Sequence, residues 1–205
     1  MSAAPATGGG RREATKQANR AALLAAAREV FAELGYGAAS VRDVVRRTDL
    51  ATGTFYNYFP DKEALFRALL EESASEARLL ARGARRAATT LEGFVSDAYR
   101  AYFTYLVADP QFFELVRRNA GTIRTVFAEP AFGVSVAELE EDFRDGIAAG
   151  ALPDVGDVGF MASAMVGTAF ELGVALVERD PPDVEAATTF ATELFLGGIE
   201  RLRKN

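Results

Sequence analysis

The chain of 205 residues contains no cysteine and no histidine. Without cysteine there is no disulfide framework and no thiolate metal site, which suits a reducing compartment, and a cytoplasmic location is expected. Without histidine the commonest general base and the commonest metal ligand are missing. No nucleophile–base pair, phosphate loop or metal-ligand set stands out, so the sequence assigns no catalytic residue, no metal and no cofactor. An enzyme is the least supported class.

Excess positive charge is also lacking, since the net charge is −6. Its distribution is uneven. Residues 1–70 hold ten Lys/Arg and seven Asp/Glu, whereas residues 71–205 hold thirteen and twenty-two. Only the first third could approach a nucleic acid; the acidic remainder would repel one. The opening MSAAPATGGG has no charged segment followed by an apolar run, so it is expected to be a flexible tail (1–15) and not a signal peptide.

One apolar run, Val158–Val177, has the length of a membrane span. It carries Glu171 near its centre, which would cost about 2.5–3.5 kcal/mol on insertion. It also contains Ser163, Thr168, Gly159, Gly167 and Gly173, and no Lys/Arg cluster flanks it. A buried helix of a soluble protein is expected, with no membrane partner.

What is abundant is helix-forming sequence. Alanine, leucine, glutamate and arginine recur with apolar residues three and four apart, and no stretch alternates for long like a strand. The pattern predicts an all-α fold of about nine helices. The first runs from about Lys16 to Leu34, with Leu23, Ala27, Val30, Phe31 and Leu34 inward, and ends at Gly35. The second covers about Val41–Thr48, capped by Ser40 with Asp43 as its capping-box partner. The third covers Thr52–Tyr58. The fourth starts after Asp61 and continues to about Arg82. Further helices are expected over about 91–107 (capped by Thr89), 110–119, 134–149, 157–179 and 184–203.

Two short helices joined by a four-residue turn, after a longer first helix, are the layout of a helix-turn-helix. At 100° per residue the third helix divides. Phe55 and Phe59 point inward, while Gly53, Asn57, Thr54 and Tyr56 form the outer face. Asparagine can pair with adenine, and threonine and tyrosine hydroxyls can bond phosphate oxygens. Lys62 stands in the first turn of the next helix, where a nearby phosphate would explain a cation. A compact three-helix subdomain with an ordinary solvated face fits the same spacing.

The run ASVRDVVRRTDLATGTFYNYFPDKEALFRALLEE, together with AAREVFAELGYGAAS, resembles the DNA-binding domain of the TetR/AcrR family of bacterial regulators over about residues 16–72. The resemblance implies an N-terminal three-helix DNA-binding domain (16–72) and a larger helical domain for ligand binding and dimerisation (73–205). It implies that Thr52–Tyr58 enters the major groove of a double-stranded DNA operator. Tyr56 and Lys62 would hold phosphates, Ser40 and Arg42 would touch the backbone, Thr52, Thr54 and Asn57 would lie nearest bases or phosphates, and Gly53 would let the helix come close. Arg11 and Arg12 would add contacts from the tail. Two positions depart from the family turn. Asp49 stands where glycine is common, which suggests a left-handed residue, and Ala51 replaces a capping serine, a role Thr52 would take over.

For the remainder the family implies a small-molecule effector and a homodimer. Small residues on the 157–179 helix, and Phe190, Leu194, Phe195 and Ile199 on the last one, independently suggest pairing through the two C-terminal helices. The aromatic block Phe94, Tyr99, Tyr102, Phe103, Tyr105, Phe112 and Phe113, with Arg117 and Arg118 at its end, is either core or the wall of a ligand pocket, for which Phe94, Tyr99, Tyr102, Phe103, Phe113 and Arg117 are the candidates. It resembles loosely the corresponding block of family members that respond to fatty acyl-CoA or related lipids. The acidic flank Glu138, Glu141, Asp142 and Asp145 is expected to be solvated. The expected function is a repressor released from its operator by a small hydrophobic or amphipathic ligand. The alternative is a helical ligand-binding or adaptor protein with a vestigial reading head.

Overall fold

The computed structural model describes residues 8–126, 130–154 and 156–202. Among them are nine helices: α1 (Gly8–Ala38), α2 (Val41–Val45), α3 (Thr52–Phe55), α4 (Lys62–Ala87), α5 (Leu91–Ala108), α6 (Pro110–Val126), α7 (Pro130–Ala148), α8 (Val158–Val177) and α9 (Val184–Leu202). The fold is all-helical, as the periodicity predicts. Several boundaries differ. Helix α1 begins at Gly8 and not near Lys16, and it continues as a helical turn beyond Gly35. Gly35 itself has φ 76°, the left-handed geometry that glycine tolerates, and so breaks the helix where expected. Leu34 is not part of the core but is 45% exposed.

Side-chain caps set most of the starts. Asp61 accepts from the Ala64 amide at 2.7 Å and opens α4. Thr90, and not Thr89, caps α5 by accepting from the Gly93 amide. Asp157 and Asp183 do the same for α8 and α9. Such caps satisfy amides that have no partner inside the helix.

The first three helices close over Val30, Phe31, Val44, Val45, Phe55 and Phe59, all buried, with Leu65 and Phe66 of α4 beneath them. The head is tied to the rest chiefly through α1 on α6 and through the long α4 on α5. One residue makes much of the first junction. Asn119 of α6, almost fully buried, donates Nδ2–H to the carbonyls of Phe31 (3.0 Å) and Leu115 (2.7 Å), and its Oδ1 accepts from the Tyr36 amide at 2.6 Å. It thereby satisfies backbone groups freed by the Gly35 break. Arg28 adds an ion pair to Asp109 at 2.7 Å.

Helix α8 packs against α5, α6, α7 and α9 and buries Met161, Ala162, Met165, Val174, Leu176 and Val177. Its Glu171 pairs with Arg124 of α6 at 2.8 Å. The acidic flank of α7 corrects the sequence reading. Asp142 is buried, not solvated, and accepts from Arg82, Arg85 and Arg86 of α4; Glu141 also pairs with Arg82. These three arginines of α4 draw Asp142 inward, while Glu141 and Asp145 stay exposed as expected. Leu139 and Phe143 are buried on the same helix, as the periodicity predicts.

Candidate nucleic-acid interface and effector cavity

Helix α2 starts with a complete capping box. The Ser40 amide donates to Asp43 Oδ2 at 2.9 Å, and the Asp43 amide donates to the Ser40 hydroxyl at 3.3 Å. The Ser40 hydroxyl, which donates to Asp43 Oδ2 at 2.5 Å, and then the Ser40 amide hold the Asp43 carboxyl below the usual carboxylate range. The contribution of the box is therefore present at neutral pH and lost as pH falls through that lowered value. Ser40→Ala is expected to raise the Asp43 pKa toward its ordinary value, read by NMR titration, and to lower the melting temperature.

The turn after α2 is held differently from the expectation. The Thr48 hydroxyl donates to the Val45 carbonyl at 2.9 Å and accepts from the Leu50 amide at 3.3 Å. Asp49 is not left-handed, since no described residue other than glycine has positive φ. Nor does Thr52 cap α3: the cap is Ala51, with no side-chain bond. Helix α3 proper is short, ending at Phe55, and turn-type bonds carry the same curl through Phe59. The division of its faces follows the predicted angles. Phe55 and Phe59 are buried, while Thr52, Gly53, Tyr56 and Asn57 are exposed and Thr54 is half-exposed. A side chain at Gly53 would meet open space. Asn19 donates to the Tyr58 hydroxyl at 3.1 Å, fixing the end of this segment against α1.

Cations surround that face. Arg42 and Arg46 on α2 are exposed and have no carboxylate partner among the described residues, unlike Arg47, which pairs with Glu29 and Glu33. Arg12 and Lys16 share a shallow cleft with Asn57 and Tyr58. Arg46 and Lys16 escaped the sequence-based site set; the sign was there in an arginine pair on α2 and a lysine one turn beyond Arg12.

Lys62 has a structural partner that the sequence did not disclose. Its Nζ donates to the carbonyls of Tyr36 (2.7 Å) and Ala39 (2.9 Å) and lies 4.2 Å from the centre of the Tyr36 ring. The ammonium thus ties the end of α1 to the start of α4. Lys62→Ala is expected to lower stability by about 1–3 kcal/mol in the absence of DNA, because it strands two carbonyls. A lysine serving a phosphate alone would leave the melting curve unchanged.

In the C-terminal part, a cavity of about 140 Å³ lies between α4, α5, α7 and α8. Ala74, Ala77 and Ala81 of α4 form one wall, and Leu139, Val166 and Phe170 face them. A second chamber of about 80 Å³ continues inward to Phe112, Ile123 and Gly173. Tyr102 lines both.

Residues 23–69 match the sequence profile of the family described as bacterial regulatory proteins, tetR family. The transcriptional activator FasR of Mycolicibacterium smegmatis is 30% identical over 142 residues, 68% of this chain and 63% of FasR. The chain thus spans less than two thirds of FasR's length. The chain belongs to the TetR family. A TetR-family regulator from Pectobacterium atrosepticum superposes with a TM-score of 0.69 at 27% identity, covering 91% of this chain and 96% of that one. The regulator FadR from Bacillus subtilis, solved in complex with stearoyl-CoA, superposes with a TM-score of 0.71 at 22% identity over 86% and 97% of the two chains. At that identity the likeness to FadR is one of fold.

The matched stretch, residues 23–69, takes in α2, α3 and the start of α4. The TetR-like body treats the predicted ligand set less simply. Of its six residues Tyr102 lines both chambers, while Tyr105 and Phe112 of the same aromatic block line the second. Phe94 packs on Phe143 (centroids 4.8 Å), Tyr99 stacks on Phe103 (5.8 Å), and all four are buried. The Tyr99 hydroxyl donates to the Met165 carbonyl at 3.3 Å, and burial pushes its pKa up. Phe113 is half-buried, and Arg117 is exposed and paired with Glu114 at 2.6 Å. The aromatic stripe is mostly core because α9 and α7 cover it. One wall of the cavity is instead an alanine stripe on α4, which composition alone disguises as ordinary helix.

Proposed function

We propose that this chain is a cytoplasmic, homodimeric repressor that reads a double-stranded operator with α2 and α3 and is released by a hydrophobic or amphipathic ligand. The observation that carries the DNA reading is the two-sided α3 segment. Phe55 and Phe59 fix it from below, so Gly53, Tyr56 and Asn57 are presented on a firm base beside Arg42, Arg46 and Lys16. Asn57 has the chemistry for a base edge, and Ser40, Arg42, Thr52, Thr54 and Tyr56 for phosphates. Lys62 keeps one N–H beyond its two carbonyl bonds for a phosphate.

Asn57→Ala is expected to reduce discrimination between duplex sequences by about 1–3 kcal/mol. Arg42→Ala is expected to weaken all duplexes alike and to reduce the slope of affinity against salt by about one charge. Fluorescence anisotropy at several salt concentrations separates the two. Uniform weakening by Asn57→Ala would reject its role at a base.

Dimer formation is supported by an apolar face without a partner on α8 and α9. Phe160 is 76% exposed, Phe190 59% and Leu194 56%, and side chains at Gly167, Gly197 and Gly198 would meet open space. Large apolar groups left in water beside bare backbone suit close packing of a second copy. Leu194→Asp is expected to give monomer at micromolar concentration by sedimentation and to weaken operator binding through lost bivalency.

The effector reading rests on the cavity beneath α4, the helix that starts at Lys62 in the head. FadR was solved with an amphipathic lipid thioester, which supports the same broad ligand class here. Because a ligand shifts an equilibrium only through unequal affinity for its two states, a ligand that widens the α4–α7 gap must bind the released form better. Deleting the gene should raise expression of its target; a fall would reverse the sign to activation.

A further inference from the structure

We infer that the effector cavity takes a single-chain amphiphile with a compact anionic head, a medium-chain carboxylate, and that Arg78 receives the carboxylate. This deepens the effector reading above and rests on it. The first observation is the state of Arg78. Its neighbours Arg82, Arg85 and Arg86 all hydrogen-bond to Asp142. Arg78 instead has its nearest carboxylate, Glu138, at 3.7 Å, and its buried Nε has no hydrogen-bond partner. A guanidinium carries five N–H donors, and a bidentate carboxylate is the group that matches them. A cation whose buried Nε–H is unbonded, and whose one carboxylate, Glu138, stands off at 3.7 Å on the same cavity wall, is a receptor for the polar end of a ligand.

The second observation is where Arg78 stands. It lines the inner cavity and also an outer cleft bounded by Glu71, Glu72, Glu76 and Val134. A head bound there sits at the mouth, with its tail running inward along Ala77 and Ala81. The three glutamates at the mouth outnumber Arg20, the other cation of the cleft, and select for a small head. A carboxylate masked by Arg78 passes, whereas a head bearing several phosphates meets like charge that costs affinity.

The third is the shape of the interior. The chambers of about 140 and 80 Å³ are each smaller than the sites that hold large ligands, roughly 300–1,000 Å³. They share Ala74, Ala77, Tyr102 and Phe170. Tyr102 lies over Gly173: a Cβ there would come within 3.0 Å of its ring and 2.7 Å of Leu106. Its hydroxyl forms no hydrogen bond with a described residue, so no bond is broken if the ring turns aside. An unbranched chain threads such a passage, and a fused ring system does not.

Calorimetry on the full chain with sodium decanoate, decanol and decanoyl-CoA tests this. Decanoate is expected to bind more tightly than decanol and than decanoyl-CoA. Arg78→Gln should weaken decanoate about 10- to 100-fold and leave decanol unchanged, with Arg78→Lys recovering part of the loss. Ala81→Leu, which fills the chamber without altering charge, should weaken both decanoate and decanol, and it serves if Arg78→Gln does not fold. Equal binding of acid and alcohol, tighter binding of the thioester, decanoate affinity unaffected by Arg78→Gln or Ala81→Leu, or no decanoate binding would each overturn the inference. Duplex binding is measured beside it. A protein that releases DNA with decanol but ignores decanoate keeps the regulator reading and loses this one. A protein that binds decanoate through Arg78 but never binds duplex does the reverse.

Discussion

Asp142→Asn is expected to lower the stability of the fold by about 3–5 kcal/mol. The carboxylate is buried and gathers three arginines, with Arg85 Nη2 at 2.6 Å and the Nε atoms of Arg82 and Arg86 both at 3.2 Å. Arg82 and Arg86 retain access to water, but Arg85 is buried against Phe94. Burial pulls the Arg85 pKa down against the opposing pull of Asp142. Removing the one compensating charge leaves a guanidinium in a low-dielectric site, and that desolvation is the source of the loss. A paired replacement, Arg85→Met with Asp142→Leu, should recover most of the stability, because it removes both charges and keeps the volume. Urea unfolding monitored by circular dichroism reads both. If the single variant cost no more than a surface pair, about 0–1 kcal/mol, the cluster would be peripheral to the fold. The site also joins α4 to α7, two of the helices that flank the cavity of about 140 Å³, so its loss should disturb ligand binding too.

Phe55→Ala is expected to cost about 3–5 kcal/mol and to abolish duplex binding. The ring is fully buried and lies 5.2 Å from Tyr56 and 6.0 Å from Phe59, centre to centre. Helix α3 proper is only four residues long, far below the length at which a helix is stable alone. Its shape therefore depends on this anchor. Tyr56→Ala, one residue along, is the contrasting case. Tyr56 is 56% exposed, so truncation should change stability by less than about 0.5 kcal/mol while weakening duplex binding. Differential scanning calorimetry beside anisotropy gives both quantities. Matching losses of stability from the two variants would refute the two-sided reading of this segment.

The same segment illustrates what is legible from sequence. A run of four aromatics in five residues separates into buried and exposed sets by angle alone, because helical geometry is local. The helix count, the Ser40–Asp43 box and the Asp61 cap follow from equally local rules. Long-range partners do not. The structural role of Lys62 was not legible because its link to the Tyr36 and Ala39 carbonyls spans more than twenty residues. Asp142 looked solvated because its arginines are more than fifty residues away. The early start of α1 at Gly8 was hidden by glycines that disfavour helix. The cavity was hidden most of all. One of its walls is a row of alanines, which becomes a wall only where α7 and α8 stand off from α4. Of the aromatics, Phe94, Tyr99 and Phe103 are spent in core packing, whereas Tyr102, Tyr105 and Phe112 line the chambers.

The central claim, that two copies of this chain read a symmetric duplex site through α3, is tested most directly by selecting bound sequences from a pool of random duplexes and sequencing them. The account predicts an enriched inverted repeat, its halves about one helical turn apart or overlapping, with Asn57→Ala relaxing the same position in both halves. A pool left unenriched, or a single asymmetric site unaffected by Asn57→Ala, would contradict it.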